Sequence, residues 1–337
     1  MEDERKITIA VDAMGGDFAP AETVKGAVLA VKSDNNLCVT LFGVEDQVQE
    51  ELKKYSYDAE RIQVTNAPSV IETCEPPVNA IKTKKDSSMV MALYAVKKGE
   101  ADAAVSCGNT GALLVGGQLI VGRIRGIERA ALAFLVPSLK EPVMLIDAGA
   151  NVDCRSTMLV QFAQMGSIYM EDVVLRKNPK VGLLNIGEEE EKGNAQVKAT
   201  VPLLKECETI NFVGSVQSRE MTEGDVDIIV CDGFVGNTIL KTYEGVSSAI
   251  IQKLKGSLKE GRLRTKIGAG MIKKDLKEML KEFSVEEYGG APMLGLKNLV
   301  VKTHGNSKGV EIRNAILQCR DFVAAEIAEK ITKSLAE

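Results

Sequence analysis

Residues 101–120 read ADAAVSCGNTGALLVGGQLI, and this stretch decides the fold class that the sequence predicts. The apolar residues 101–105 predict a short buried strand, and the apolar residues after position 110 predict a helix through Ile120. The turn between them, SCGNTG, is rich in glycine and small polar residues, which are typical of strand-to-helix connections. The stretch therefore predicts one strand–turn–helix unit of an α/β protein.

The same unit recurs along the chain in both directions. Strands are predicted at residues 7–11, 37–42, 143–146, 181–184, 227–230 and 299–302, each followed by a turn and most by a helical stretch. Such units in series favour a mostly parallel sheet with helices on both faces, and near-continuous apolar strands fit that burial. Since no linker or repeat interrupts residues 1–337, we expect a single domain.

The composition argues against membrane-spanning, secreted and metal-binding proteins. The chain is 45% hydrophobic and 26% charged, and it has no apolar run long enough to span a membrane and no signal peptide. Its seven cysteines are scattered without a CxxC pair, which favours reduced thiols and a cytoplasmic protein. With His304 as its single histidine, the chain has no His-rich metal site, and we expect no metal and no cofactor.

Charge is unevenly spread along the chain. Between Gln252 and Glu282, ten basic residues oppose four acidic ones, so the rest of this chain of net charge −5 is strongly acidic, which argues against general nucleic-acid binding. Apolar residues recur within the basic segment, about residues 250–283, and predict one or two amphipathic helices broken near Gly261 and Gly268-x-Gly270. Three uses stay open: core or dimer-interface packing, docking on an anionic membrane, and docking of an acidic carrier protein.

Five turns at predicted strand ends combine Asp, Asn or Ser with glycine. They are Asp12-x-x-Gly15-Gly16-Asp17, Ser106-x-Gly108-Asn109-Thr110-Gly111, Asp147-x-Gly149-x-Asn151, Asn185-x-Gly187 and Asp232-Gly233-x-x-Gly236-Asn237. Because carboxyl ends of parallel strands share one edge of a sheet, we expect the turns to gather around one cleft, where helix N-termini would bind an anion such as phosphate. Each turn taken alone fits an ordinary connection with an N-cap equally well.

The motifs together resemble one family. VDAMGGDFAP, SCGNTGALLVGG, GRIRGIERAAL, DAGANVDC, GLLNIGEEEEKGN, VCDGFVGNTILKTYEG, YGGAPMLGL and VKTHGNS are similar to the phosphate acyltransferases known as PlsX, from Ile7 to the last helix. Departures are small: Cys107 and Ala130 stand where Ala and Pro are usual. The resemblance implies transfer of a fatty acyl group from acyl carrier protein to inorganic phosphate, giving acyl phosphate for phospholipid synthesis. It also implies a Rossmann-like fold similar to phosphotransacetylases and to isocitrate and isopropylmalate dehydrogenases, a homodimer, and action near membranes beside a membrane glycerol-3-phosphate acyltransferase.

Within this resemblance the candidate catalytic residues are Asn109, Asp232 and His304. The candidate substrate-binding residues are Asp12, Gly15, Gly16, Asp17, Lys84, Lys85, Ser106, Gly108, Thr110, Gly111, Arg123, Asp147, Asn151, Asn185, Gly233, Gly236 and Asn237. Lys84 and Lys85, or Arg123 with its neighbours, would bind phosphate or the acidic carrier. His304 fits a packed loop histidine as well as a ligand-binding one.

Two other functions stay open. A metal- and NAD-dependent decarboxylating dehydrogenase would need clustered carboxylates, and Asp227 and Asp232 alone are few for that purpose. A non-catalytic protein that binds acidic or acylated partners is the third class.

No GxGxxG follows the first strand, and there is neither a P-loop nor a GxSxG elbow. Attack of phosphate on a thioester needs positioning and oxyanion stabilisation more than a protein nucleophile, so the absence of a triad fits acyl transfer.

Overall fold

The computed structural model describes residues 5–189, 191–282 and 289–334. Its strands are β1 (Ile7–Asp12), β2 (Leu37–Gly43), β3 (Ile62–Asn66), β4 (Ala103–Ser106), β5 (Ala131–Val136), β6 (Val143–Ile146), β7 (Lys180–Leu184), β8 (Asn211–Val216), β9 (Ile228–Val230), β10 (Ala291–Leu294) and β11 (Val300–Lys302). Its helices are α1 (Ala21–Ser33), α2 (Glu45–Leu52), α3 (Pro77–Thr83), α4 (Ser88–Lys98), α5 (Thr110–Gly116, with a π-helical turn over Gly117–Val121), α6 (Ser156–Asp172), α7 (Ala195–Glu206), α8 (Glu220–Glu223), α9 (Gly233–Glu260), α10 (Leu263–Met271), α11 (Lys273–Glu282), α12 (Gly309–Ala324) and α13 (Ile327–Ser334).

The strands form one sheet with helices on both faces. Its order is β3-β2-β1-β4-β11-β10-β5-β6-β9-β7-β8. Most neighbouring strands are parallel, and only the pairs β11–β10, β10–β5 and β5–β6 are antiparallel. The predicted α/β fold with a mostly parallel sheet is therefore confirmed.

The three antiparallel pairs divide the sheet into two sets of opposite direction. Strands β1 to β4, β11 and β5 run one way, and β10, β6, β9, β7 and β8 run the other. We call the edge at the carboxyl ends of β1, β4 and β11 the upper edge, and the edge at the carboxyl ends of β6, β7 and β9 the lower edge. The predicted gathering of all five turns at one edge is wrong, because β5 and β10 reverse the strand direction between the two halves.

Two apolar layers, one on each face, hold the sheet. Helices α1, α6 and α12 cover one face, where Phe162 and Tyr169 are completely buried. Helices α4, α5 and the first turns of α9 cover the other, around Leu93 and Leu145. Strands β1, β4 and β6 are buried along most of their length, as expected for strands covered on both faces.

Helix α9 spans the sheet and then leaves it. It begins at the lower edge with Asp232 as N-cap, and Tyr243 donates a hydrogen bond to the carbonyl of Pro137, just after β5 at the upper edge. Beyond this point its side chains are half-buried or exposed. The rest of α9 with α10 and α11 forms an arm, residues 246–280, and α10 packs against α9 and α11.

The arm contains most of the basic segment for which amphipathic helices are predicted. A break at Gly261 is confirmed, but the second break lies at Ile272, and Gly268 and Gly270 are inside α10. Of its apolar side chains, Leu263 is 73% exposed and Met271 80% exposed, so the arm does not pack into the core of its own chain. Residue 283, the last of the predicted segment, lies outside the described residues.

Candidate functional site at the lower edge

The turn after β6 is built around a buried carboxylate. Asp147 is fully buried, and its Oδ1 accepts hydrogen bonds from the backbone N–H groups of Leu132, Gly149 and Ala150 at 2.9–3.1 Å. Its Oδ2 accepts from the backbone and side-chain nitrogens of Asn151 at 2.7 and 2.8 Å. Burial raises the pKa of Asp147, and these donors oppose that rise. Asp147 therefore shapes the turn from within.

The first residues of helix α9 pack against this turn, and the two backbones are in close contact. A Cβ on Gly233 would lie 2.8 Å from the carbonyl oxygen of Asn151. A Cβ on Gly236 would overlap the carbonyl oxygen of Asp147. These two glycines are thus required for helix packing. Asp232 caps the helix, because its Oδ1 accepts from the N–H of Val235 at 2.9 Å. Asn237, in the first turn, is exposed beside Gly149.

A second helix N-terminus faces the same space from β7. Asn194 caps α7 by accepting from the N–H of Val197 at 2.9 Å. The Asn185 side chain donates to the carbonyl of Lys192 and to Ser215, both at 3.3 Å, and so holds the loop before α7. That loop places Lys192 at the lower edge, where it pairs with the exposed Glu189 at 2.8 Å.

Between α7 and α9 lies a cleft. It has a volume of about 780 Å³, and we call its mouth the side lined by Asn185 after β7 and by the N-caps Asn194 and Asp232. A shallower depression of about 580 Å³ adjoins it, also lined by Asn194 and Asp232 and by the exposed side chains of Val152 and Phe234. The cleft, its mouth and this depression form the candidate site.

Positive charge lies close to this site. The turn that contains Asn151 contacts Ala130, the residue before β5. The Asn151 side chain donates a hydrogen bond to the carbonyl of Ala130 at 2.8 Å. The exposed side chains of Arg123, Arg125 and Arg129 precede that residue. Arg123 donates to the carbonyl of Glu128. The predicted arginine group therefore sits at the lower edge.

The upper-edge residues form a buried cluster, in which the Oδ1 atom of Asp12 has no hydrogen-bond partner among the described residues. Asp12 is 2% exposed and accepts from the Ser106 hydroxyl at 2.6 Å, and that hydroxyl accepts from the N–H of Gly108 at 3.0 Å. Lys302, 8% exposed, donates to the carbonyls of Cys107 and Thr303. Burial raises the pKa of Asp12 and lowers that of Lys302. The sequence signalled Asp12 and Ser106 but gave no sign of Lys302.

The glycines and amides of the first two turns are used in packing. A Cβ on Gly15 would lie 2.5 Å from Asp12 Oδ2, and one on Gly111 2.6 Å from Pro77. Asn109 caps α5 by accepting from Ala112 at 2.9 Å, and its amide donates to the carbonyls of residues 72, 73 and 75 at 3.0–3.1 Å. Both hydrogens of its side-chain amide are thus used within the protein, and its predicted catalytic role stays a prediction.

The remaining candidates also lie away from the cleft. Gly16 and Asp17 pack beside Gly305, Thr110 and Lys85 are exposed, and Lys84 is paired with Glu75 at 2.5 Å. His304 Nε2 lies 3.3 Å from Glu244 Oε1 at the upper edge. Glu244 stands twelve residues after Asp232 on α9, a helical rise of about 18 Å. The structure therefore separates His304 from Asp232, two residues that the sequence placed in one site.

The sequence reading missed three lower-edge residues: Lys192, Asn194 and Gln196. Gln196 donates to the carbonyl of Cys154 at 2.6 Å and so ties α7 to the loop after Asn151. Asn194 stands immediately before an amphipathic stretch and could have been recognised as an N-cap. Lys192 lies in a run of charges and carried no comparable signal.

Solved structures with the same fold give the class. A phosphotransacetylase from Streptococcus pyogenes has a TM-score of 0.61 at 16% identity, and the EutD phosphotransacetylase from Staphylococcus aureus has 0.59 at 15%, each over 94% of both chains. A 4-hydroxythreonine-4-phosphate dehydrogenase from Klebsiella pneumoniae has 0.51 at 13%, over 97% of this chain and 99% of that one. The protein is thus a Rossmann-like α/β protein with the fold of the phosphotransacetylases.

Sequence relatives give the family. A family model described as "Fatty acid synthesis protein" matches residues 7–330. A phosphate acyltransferase from Clostridium acetobutylicum is 48% identical over 98% of this chain and 99% of that protein. A phosphate acyltransferase from Clostridium perfringens is 49% identical over 96% of this chain and 97% of that protein. The chain belongs to this fatty acid synthesis protein family, that of the phosphate acyltransferases, and it is an acyltransferase, which confirms the resemblance read from its motifs.

Proposed function

We propose that the protein transfers a fatty acyl group from acyl carrier protein to inorganic phosphate at the lower-edge cleft, giving acyl phosphate for phospholipid synthesis. One observation carries the proposal. Two helix N-termini, capped by Asn194 and Asp232, meet at the mouth of a cleft that is otherwise mainly apolar, and Lys192 lies one residue before Gly193, which lines the cleft. An anion-binding mouth on an apolar cleft suits a reaction between phosphate and a fatty acyl thioester.

The two helix N-termini at the mouth favour the binding of phosphate. The first N–H groups of a helix have no intrahelical acceptor, and the helix dipole adds partial positive charge at the same end. Lys192 pairs with Glu189 while both side chains are about half exposed, so exchanging this partner for phosphate costs little. We assign phosphate binding to Lys192 and the N-terminus of α7, with Asn237 at the rim.

The reaction then needs no protein nucleophile. A phosphate oxygen attacks the thioester carbonyl carbon, the carbonyl oxygen becomes an oxyanion, and its collapse breaks the C–S bond and expels the carrier thiolate. A thiol has a pKa of about 8.5, so the thiolate leaves readily and takes its proton from water. The N-terminus of α9 lies where it can stabilise the oxyanion. Asp232, as its cap, is a positioning residue.

The cysteines near the cleft fit this scheme. Burial raises the pKa of Cys154 to about 12 and raises that of Cys231 well above its usual value. Neither thiol is therefore appreciably ionised at neutral pH, and a thiolate is the form that attacks a thioester.

A thiol-release assay tests the function. Purified protein is incubated with acyl carrier protein carrying a fatty acyl group, with and without phosphate, in the presence of EDTA. We expect thiol release that requires phosphate and yields acyl phosphate. Phosphate-independent release, or none, would contradict the proposal. A metal- and NAD-dependent dehydrogenase or a non-catalytic binding protein would leave the thioester intact with and without phosphate.

A matched pair of lysine variants tests the site. Lys192→Ala should raise the KM for phosphate at least tenfold, because a charge-assisted contact to phosphate is lost. Lys198→Ala removes an exposed lysine further along α7 and should leave that KM unchanged. Equal KM values in the two variants would place phosphate elsewhere.

We also propose that the arm docks on an anionic membrane surface. Its cations are interleaved with exposed apolar side chains, among them Leu263, Ile267 and Met271. That combination is typical of helices that lie in a membrane interface. Within the described residues no helix is long and apolar enough to cross a bilayer.

A further inference from the structure

We infer that the lower-edge cleft holds the acyl chain itself and that Ile239 of α9 sets the length of chain it accepts. The inference rests on the proposed function for the identity of the ligand and adds where the chain lies. The evidence is the composition of the walls, the direction in which the cleft runs and its connection with the polar mouth.

The walls of the cleft are mainly apolar and, away from the mouth, uncharged, with Gln196, Gln217 and Ser218 as further polar lining residues. Leu159, Leu183 and Leu184 form the buried end, with exposed fractions of 1%, 0% and 8%. Among the described lining residues, Asp232 at the mouth is the only one with a carboxylate or a cationic group. A charged ligand would be desolvated in this end without a counter-charge, whereas an alkyl chain gains by leaving water.

The cleft runs along α9 away from the reacting groups. Asp232, Val235 and Ile239 all line it and lie on successive turns of the helix, so Ile239 is about 10 Å beyond the N-cap. A chain whose thioester carbonyl lies at the start of α9 would pass Val235 first and then reach Ile239. The volume of about 780 Å³ falls within the range of about 300–1,000 Å³ common for small-molecule pockets.

Ile239 is well placed to limit the length of the chain. It is half-buried, packs against the apolar layer around Leu184, and presents its side chain to the cleft. A larger side chain there would fill the space for the far methylene groups and leave the mouth intact. Each methylene withdrawn from water adds roughly fourfold to affinity, so the loss of two or more would cost tenfold or more.

The test compares acyl chains of different length in three variants. Carrier protein loaded with butyryl, octanoyl and palmitoyl groups is assayed with wild type, Ile239→Trp, Ile239→Ala and Thr238→Trp. Thr238 is exposed on the neighbouring face of α9 and does not line the cleft, so its variant is the matched control. We expect Ile239→Trp to lower the palmitoyl-to-butyryl ratio of kcat/KM at least tenfold. Ile239→Ala should not lower it, and Thr238→Trp should leave it unchanged.

An activity-independent measurement separates this inference from the proposed function. The fluorescent 18-carbon fatty acid cis-parinaric acid should bind wild type and Thr238→Trp alike, and Ile239→Trp at least tenfold more weakly. If this pattern appears without phosphate-dependent thiol release, the proposed reaction fails and the acyl site stands. If Ile239→Trp lowers kcat/KM equally for all chain lengths, the cleft holds the carrier's arm and the inference is overturned. Unchanged ratios and unchanged probe binding would also overturn it.

Discussion

Replacing Asn109 separates a structural role from a catalytic one. In Asn109→Ala the cap on α5 is lost, because the Ala112 N–H loses its acceptor, and the carbonyls of residues 72, 73 and 75 lose their shared donor. An N-cap contributes about 1 kcal/mol. Two amide hydrogens bonded to carbonyls contribute about 1 kcal/mol each. We therefore expect Asn109→Ala to lower the free energy of unfolding by about 3 kcal/mol.

Urea denaturation followed by circular dichroism measures this loss. Asn109→Ser keeps a capping oxygen and should recover about 1 kcal/mol of it. Thr110→Ala, at the exposed neighbouring position, should change stability by less than about 0.5 kcal/mol. At temperatures where the variant is folded, the KM for phosphate should equal that of wild type. A stable Asn109→Ala protein with a greatly raised KM for phosphate would refute this reasoning and return Asn109 to the site.

Three further outcomes are expected. Gly236→Ala should lower the free energy of unfolding by about 2–3 kcal/mol in urea titrations, because its Cβ would overlap the carbonyl of Asp147; a neutral result would mean that α9 moves freely. Burial raises the pKa of Asp12 above its ordinary 3.8, so the folded state holds that proton more tightly. The stability of wild type relative to Asp12→Asn should therefore fall as pH rises above 3.8, and a rise would contradict the assignment. In sedimentation with anionic vesicles, Ile267→Glu should bind much less than Thr265→Glu, since only Ile267 offers an apolar side chain; equal binding would argue against membrane docking by the arm.

The upper-edge cluster explains why several strong motifs need not contact a ligand. Asp12, Ser106 and Lys302 end three neighbouring parallel strands, and their polar groups are directed at one another and at backbone carbonyls. Each of the three side chains thus has at least one hydrogen-bond partner within the fold, although the Oδ1 atom of Asp12 has none among the described residues. Sequence motifs that resemble ligand-binding turns can thus serve to hold the ends of β1, β4 and β11 together.

Local features of the fold could be read from the sequence because their causes are local. Strand β6 has the predicted bounds, residues 143–146. Asn109 and Asp232 are N-caps, a role that their position before an apolar helix already allowed. Such features depend on side-chain periodicity and on hydrogen bonds to amides three residues away, both of which a single sequence displays.

The tertiary structure alone decided how these units are arranged. The amphipathic arm is evident from periodicity, but its exposure depends on where α9 leaves the sheet at Pro137. The direction of β6 relative to β11 depends on pairing with β5 and β10 across more than a hundred residues, and nothing in any one strand encodes it. That pairing sends Asp232 and His304 to opposite edges and brings Asp232 to Asn194, because strand direction is set by non-local hydrogen bonds and the burial of both sheet faces.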